Sequence, residues 1–167
     1  MMTDVERLLA REEIKELKAR YFRTLDTKDW AGYEAVFTPD AIIDSTEAYT
    51  PKDLNGRKIV FDGVTPPDPN PEWHSRGNPK AFIADLAETL NGVITTHHGH
   101  MCEIEFTSPT IAKGIWAMED MLKWPKGAPT RAMHGYGHYV ETYQKMPQGW
   151  RIKSLKLTRL RVETVAG

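Results

Sequence analysis

Two short segments carry the side chains best suited to moving protons. Tyr21-Phe22-Arg23-Thr24-Leu25-Asp26 supplies a phenol and a carboxylate, and His97-His98-Gly99-His100 supplies three imidazoles. A neutral histidine oriented by a carboxylate is a general base near pH 7, and a phenol donates to an oxygen that gains charge. From Gly114 to Trp124, alternation puts Trp116, Met118, Asp120, Leu122 and Trp124 on one face, with Ile115, Ala117, Glu119 and Met121 on the other. Asp120 is then a lone carboxylate in an apolar row, a position that calls for a cation or donors beside it. Arg159, in phase with Leu155 and Leu157, is an inward cation able to hold a carboxylate such as Asp120, or an oxyanion. His134, Tyr136 and His138 share a face, and the intervening Gly135 and Gly137 leave room for a ligand or a neighbouring backbone.

Alternation alone does not choose the inward histidine. Counting back by twos from Phe106, Ile104 and Cys102 puts His100 and His98 on the apolar face and His97 opposite. Gly99 complicates the count, because a glycine inside a strand often marks a bulge that changes the phase. Five neighbouring histidines also suggest a metal, but no spacing is that of a strong motif, so acid–base chemistry with no metal and no cofactor is the preferred reading. Cys102 is the only cysteine, which permits no internal disulfide and reads as a small core residue.

The elements that must position these groups follow from periodicity. Val5, Leu8, Leu9, Ile14, Leu17, Tyr21 and Leu25 mark a long amphipathic helix from Asp4 to about Leu25, capped by Thr3 or Asp4. A second, short helix capped by Asp29 carries Trp30, Tyr33 and Phe37 and is stopped by Pro39; a short strand follows over 41–44. Residues 46–79 contain six prolines and read as a long loop, either a lid or poorly ordered, in which Trp73 and His74 close over a ligand or pin the loop down. Asn78-Pro79 starts a third helix with Phe82, Ile83, Leu86 and Leu90, ending before Gly92. Four strands are expected at about 93–107, 110–124, 131–145 and 149–163, with turns at Ser108-Pro109, 125–129 and Pro147-Gln148-Gly149. Helices first and antiparallel strands afterwards describe an α+β domain whose sheet curls around the N-terminal helices and leaves a pocket between them.

The 167 residues suit one domain, 1–167, with 40% apolar and 27% charged residues. The net charge of −1 gives no general attraction to nucleic acid or to an anionic membrane. The basic run Arg151, Lys153, Lys156, Arg159 and Arg161 reads as a solvated strand face. With neither a signal-like apolar segment at the start nor a membrane-length run, a cytoplasmic location is expected.

With these residues in view the chain resembles the SnoaL-like branch of the nuclear-transport-factor-2-like cone folds, and within it the bacterial bile-acid 7-alpha-dehydratases. The matching stretches are Ile14-Lys15-Glu16-Leu17-Lys18 running into Tyr21 to Asp26, then His97 to His100, Gly114 to Asp120, Gly149-Trp150 and Arg159. The resemblance implies that Tyr21, Asp26, His97, Asp120 and Arg159 are the catalytic positions. It favours His97 over parity, and His98, His100, Trp116, Met118, His134, Tyr136 and His138 are then expected to line the substrate pocket. Asp26 and His97 also resemble the dyad of hexachlorocyclohexane dehydrochlorinases and, more loosely, the acid–base equipment of scytalone dehydratases. The implied function is a cofactor-independent lyase that removes water from a hydrophobic hydroxy-carbonyl compound such as a steroid or cyclic polyketide. An isomerase or cyclase, or a noncatalytic binder, are the alternatives. The implied partners are a small hydrophobic molecule and a second or third copy of the chain, as a homodimer or homotrimer.

Overall fold

A computed structural model describes residues 2–52, 55, 57–59, 73–75 and 77–167. Helix α1, Asp4–Asp26, opens on a reciprocal cap in which Thr3 and Glu6 satisfy each other's backbone N–H groups. Its buried face is Ala10, Ile14, Leu17, Lys18, Tyr21, Thr24 and Leu25. The expected apolar stripe holds only from Ile14 onward. Val5, Leu8 and Leu9 are 66, 63 and 61% exposed, because burial of the helix begins only at Ala10.

Helix α2, Trp30–Glu34, is capped by Asp29 and ends earlier than expected. Phe37 and Pro39 belong instead to strand β1, Phe37–Asp44. Strand β1 lies at a sheet edge, and its pairing jumps from Phe37 opposite Ile152 to Ile42 opposite Ser154. Pro39 sits in that jump, where its missing N–H costs no ladder bond. Helix α3, Pro79–Thr89, starts on the Asn78 cap.

Strands β2 (Ile94–Ser108), β3 (Ile111–Lys123), β4 (Thr130–Met146) and β5 (Gly149–Ala166) follow with the expected turns. The sheet order is β1-β5-β4-β3-β2, with β1 parallel to β5 and the other neighbours antiparallel. The sheet is therefore mixed and open, as in the cone folds. Register shifts at Gly99/Cys102, Tyr136/Gly137 and Thr142/Tyr143 are bulges, which bend a strand and increase its twist. Its inner face carries Ile104, Trp116, Met118, Leu122, Met133, Tyr139, Tyr143, Ile152, Leu155 and Leu157, all buried in the core shared with α1. No helix among the described residues is long and apolar enough to cross a membrane. Much of the proline-rich stretch, including Pro66, Pro67, Pro69 and Pro71, lies outside the described residues, and with it the question of a lid.

Candidate active site

The last turn of α1 and the start of β2 meet at Asp26. Its carboxylate accepts three hydrogen bonds: the His97 backbone N–H at 2.8 Å, the Thr95 hydroxyl at 2.9 Å, and the His97 ring at Nδ1, 2.6 Å away. Partial burial pulls this carboxyl upward, and the hydrogen bonds and charge of His97, with Thr95, outweigh it, holding it below the ordinary aspartate value. An ionised carboxylate only accepts, so the proton between the two side chains belongs to Nδ1. Nε2 is left as the basic atom.

His97 lies opposite Asp120 in the β2–β3 ladder, and its Nε2 is 3.8 Å from Asp120 Oδ2. Asp120 is also gripped by Arg159 in two parallel bonds, Nη1 to Oδ1 at 3.0 Å and Nη2 to Oδ2 at 2.7 Å. The cation that the lone carboxylate required is thus Arg159, which also donates Nε to the Ala48 carbonyl. Fixed planar geometry suits guanidinium to this two-point contact.

Tyr21, Leu25, His97, Asp120 and Arg159 line one cavity of about 150 Å³ with Tyr33, Tyr49, Trp73, Phe82, Leu86, Leu122, Trp124, Tyr139 and Leu157. Asp85 and Thr89 of α3 belong to the same wall. Burial pushes the Tyr21 phenol well above its ordinary value, with Tyr139 and Tyr33 adding to the rise, so it remains a protonated donor. The structure therefore brings four of the five residues assigned from the family resemblance, Tyr21, His97, Asp120 and Arg159, into the lining of one cavity, with Asp26 held against His97 outside that lining, and among the three histidines of the segment it turns His97 inward.

The wider pocket assignment is corrected. His98 and His100 point to the outer face, where they lie 3.5 and 3.7 Å from Glu119, because the β2 bulge after Gly99 breaks the parity count. His134, at 2.9 Å, joins the same carboxylate, and Tyr136 stacks on His134. His134, Tyr136 and His138 do share a face, but it is the outer one. The inward positions of β4 are Met133, Gly135, Gly137 and Tyr139. Trp116 and Met118 point inward yet lie behind the cavity wall: Trp116 donates to the Tyr143 hydroxyl, and Met118 offers its sulfur to Arg159. Among the described residues no three His, Cys, Asp or Glu side chains are grouped to hold a metal ion.

The glycines of β4 have a steric purpose that the sequence pattern only hinted at. A Cβ on Gly135 would collide with Asp120 Oδ1 and stand 2.5 Å from Arg159 Nη1. Gly135→Ala is expected to split the Asp120–Arg159 pair and to lose about 1–3 kcal/mol of stability, measured by urea unfolding, together with activity. Two contributors were missed from sequence. Tyr49 lines the cavity against Trp73, ring centroids 5.3 Å apart, close enough to Arg159 and Asp120 to feel both charges. It sits in a loop with no periodicity to give its direction. Lys18 lies buried behind the aromatic wall, 3.8 and 3.7 Å from the ring centres of Tyr21 and Tyr139.

Comparison with known proteins identifies the family and the fold. The SnoaL-like domain description matches residues 6–156. The chain belongs to the SnoaL-like family. A probable cyclase of Gibberella zeae is 26% identical over 147 residues, 88% of this chain and 89% of that protein. Among solved structures, a candidate scytalone dehydratase of Novosphingobium aromaticivorans superposes with a TM-score of 0.71 at 18% identity, covering 99% of this chain and 93% of that one. Hexachlorocyclohexane dehydrochlorinase LinA-type3 of Novosphingobium barchaimii gives 0.67 at 16% identity, covering 99% and 96%. At such identities the two structures show a shared fold. This SnoaL-like domain thus stands among proteins that include small-molecule lyases and cyclases.

Proposed function

We propose that this SnoaL-like protein is a cofactor-independent dehydratase acting on a compact cyclic hydroxy-carbonyl compound. The observation that carries the proposal is the His97–Asp26 pair, with its basic Nε2 directed into a cavity walled by aromatic and aliphatic side chains. Nε2 takes the proton from the carbon next to the carbonyl, the electron pair of that C–H bond forms the double bond, and the C–O bond to the hydroxyl breaks. The imidazolium returns its proton to the departing hydroxyl, so one water leaves and the enzyme is restored. Tyr21 or Tyr49 donates to the oxygen that gains charge, while Asp120 and Arg159 present a fixed polar end for the substrate.

Cavity size argues for a small ring system. The cavity formed by the described residues, about 150 Å³, has room for a small ring, so a compound of cyclic polyketide type suits these walls better than a four-ring steroid. Mass spectrometry of incubated hydroxy-ketones should show a product lighter by one water. An unchanged mass with altered chromatography favours ring closure or isomerisation, the reading that the probable cyclase supports. Binding without any product leaves a ligand-binding domain. Self-association as a dimer or trimer belongs to the same proposal, and light scattering of the purified protein decides it.

A further inference from the structure

We propose that Lys28, acting through the Thr95 hydroxyl, is a positioning residue that holds Asp26 in the orientation from which it steers His97; this rests on the His97–Asp26 reading above. Lys28 Nζ donates to Thr95 Oγ1 at 2.7 Å, and Thr95 Oγ1 donates to Asp26 Oδ1 at 2.9 Å. An ammonium only donates and a carboxylate only accepts, so the single hydroxyl hydrogen of Thr95 must go to Asp26. The chain has one polarity. It ends on the same oxygen that receives the His97 Nδ1 proton.

The backbone of Lys28 supplies a second, independent sign. Lys28 follows the Thr27 C-cap of α1 and has φ 60°, the only non-glycine residue with positive φ among the described residues. Helices commonly end on glycine at this left-handed position because a Cβ is disfavoured there. Here a lysine occupies it, and the turn aims the ammonium back at β2. Strain kept at a residue one hydrogen bond removed from the dyad points to a use. Burial lowers the Lys28 ammonium and the Asp26 charge partly restores it, so the two feel each other.

The other charged and titratable groups about the dyad are accounted for. Asp120 of β3 lies on the far side of the imidazole and is paired with Arg159 of β5. Tyr21 of α1, Tyr33 of α2, Tyr139 of β4, Asp85 of α3 and Tyr49 line the same cavity. Lys28 reaches Asp26 through the Thr95 hydroxyl, and its charge favours an ionised carboxylate. Without it, the Asp26 carboxylate takes up a proton more readily.

The test compares Lys28→Gly, Lys28→Met, Thr95→Val and Thr95→Ser with wild type. Lys28→Gly relieves the strained backbone, so its unfolding temperature should equal or exceed that of wild type. Its kcat should nevertheless fall about tenfold with KM unchanged, well short of the loss from removing the base itself. The acid limb of its pH–rate profile should move to higher pH by about one unit. Lys28→Met and Thr95→Val should show the same losses, and Thr95→Ser should restore both. Independently of turnover, the 13C-labelled Asp26 carboxyl should titrate at higher pH in Lys28→Gly and Thr95→Val than in wild type. An unmoved Asp26 titration with an unmoved acid limb overturns the proposal. A shifted titration in a protein that turns over no hydroxy-carbonyl compound supports it while defeating the lyase reading.

Discussion

His97→Ala is expected to lower kcat on an accepted substrate by roughly 10²–10⁴-fold, the usual worth of a positioned general base, while the protein still folds. The fold should survive because Asp26 keeps two partners, the backbone N–H of residue 97 and the Thr95 hydroxyl. Asp26→Asn tests the other half of the pair. All three groups around Asp26 donate, and an asparagine brings a donor of its own. Its NH₂ must therefore face one of them, and the imidazole can relieve the conflict by moving its proton to Nε2. That tautomer has no basic atom in the cavity, so turnover should drop although shape and burial barely change. The pH dependence has a fixed sign. Asp26 titrates lower in the folded protein than its ordinary value, so the stability it contributes is present above the ordinary aspartate range and lost as pH falls through the folded value. Asp26→Asn should therefore flatten the acid side of the thermal-unfolding profile. Full turnover in both variants, with circular dichroism unchanged, would remove the proposed mechanism.

The fold was readable because most of its elements obey one period each. Helices α1 and α3 carry caps and three-to-four spacing, and β3 alternates cleanly, so Asp120 and Arg159 were placed inward from sequence and meet in the structure. The failures have physical causes. In β2 the register shift between Gly99 and Cys102 is a long-range property of the sheet, and parity carried across it puts the wrong histidines inside. Between His134 and His138 the inward positions of β4 are Gly135 and Gly137, so the larger outward side chains read as the functional row. Hydrophobicity at Val5, Leu8 and Leu9 specified the helix but not how far the sheet extends beneath it. Lys18 is the hardest case, since a lysine between apolar residues on an amphipathic helix reads as a solvated edge.

Lys18 leads to the second large expected effect. Lys18 and Glu141 are ion-paired with relative exposures of 0 and 1%, and Glu141 also accepts from Tyr143. Removing one member of a fully buried pair strands the other charge, at about 3–5 kcal/mol. For a domain of this length that lowers the melting temperature by about 10 °C. Lys18→Met alone and Glu141→Leu alone should each show a loss of this order. The double variant should recover the part due to the stranded charge, because apolar groups of similar volume leave no charge behind; the Tyr143 hydroxyl loses its acceptor Glu141 and keeps only the Trp116 indole as a donor to its oxygen, so recovery is incomplete. The pH response separates this from simple packing loss. Burial lowers the Lys18 ammonium to about 8 even against the pull of Glu141. The unfolded chain then binds more protons between that value and the ordinary lysine range, so Lys18 makes stability rise with pH across that window. The buried tyrosines act oppositely, but only above the ordinary tyrosine range, since burial raises their folded values. Between about pH 8 and pH 10 the melting temperature of wild type should gain on that of Lys18→Met. A constant gap, or a double variant as unstable as the worse single one, would mean that Lys18 matters for its volume and not for its charge.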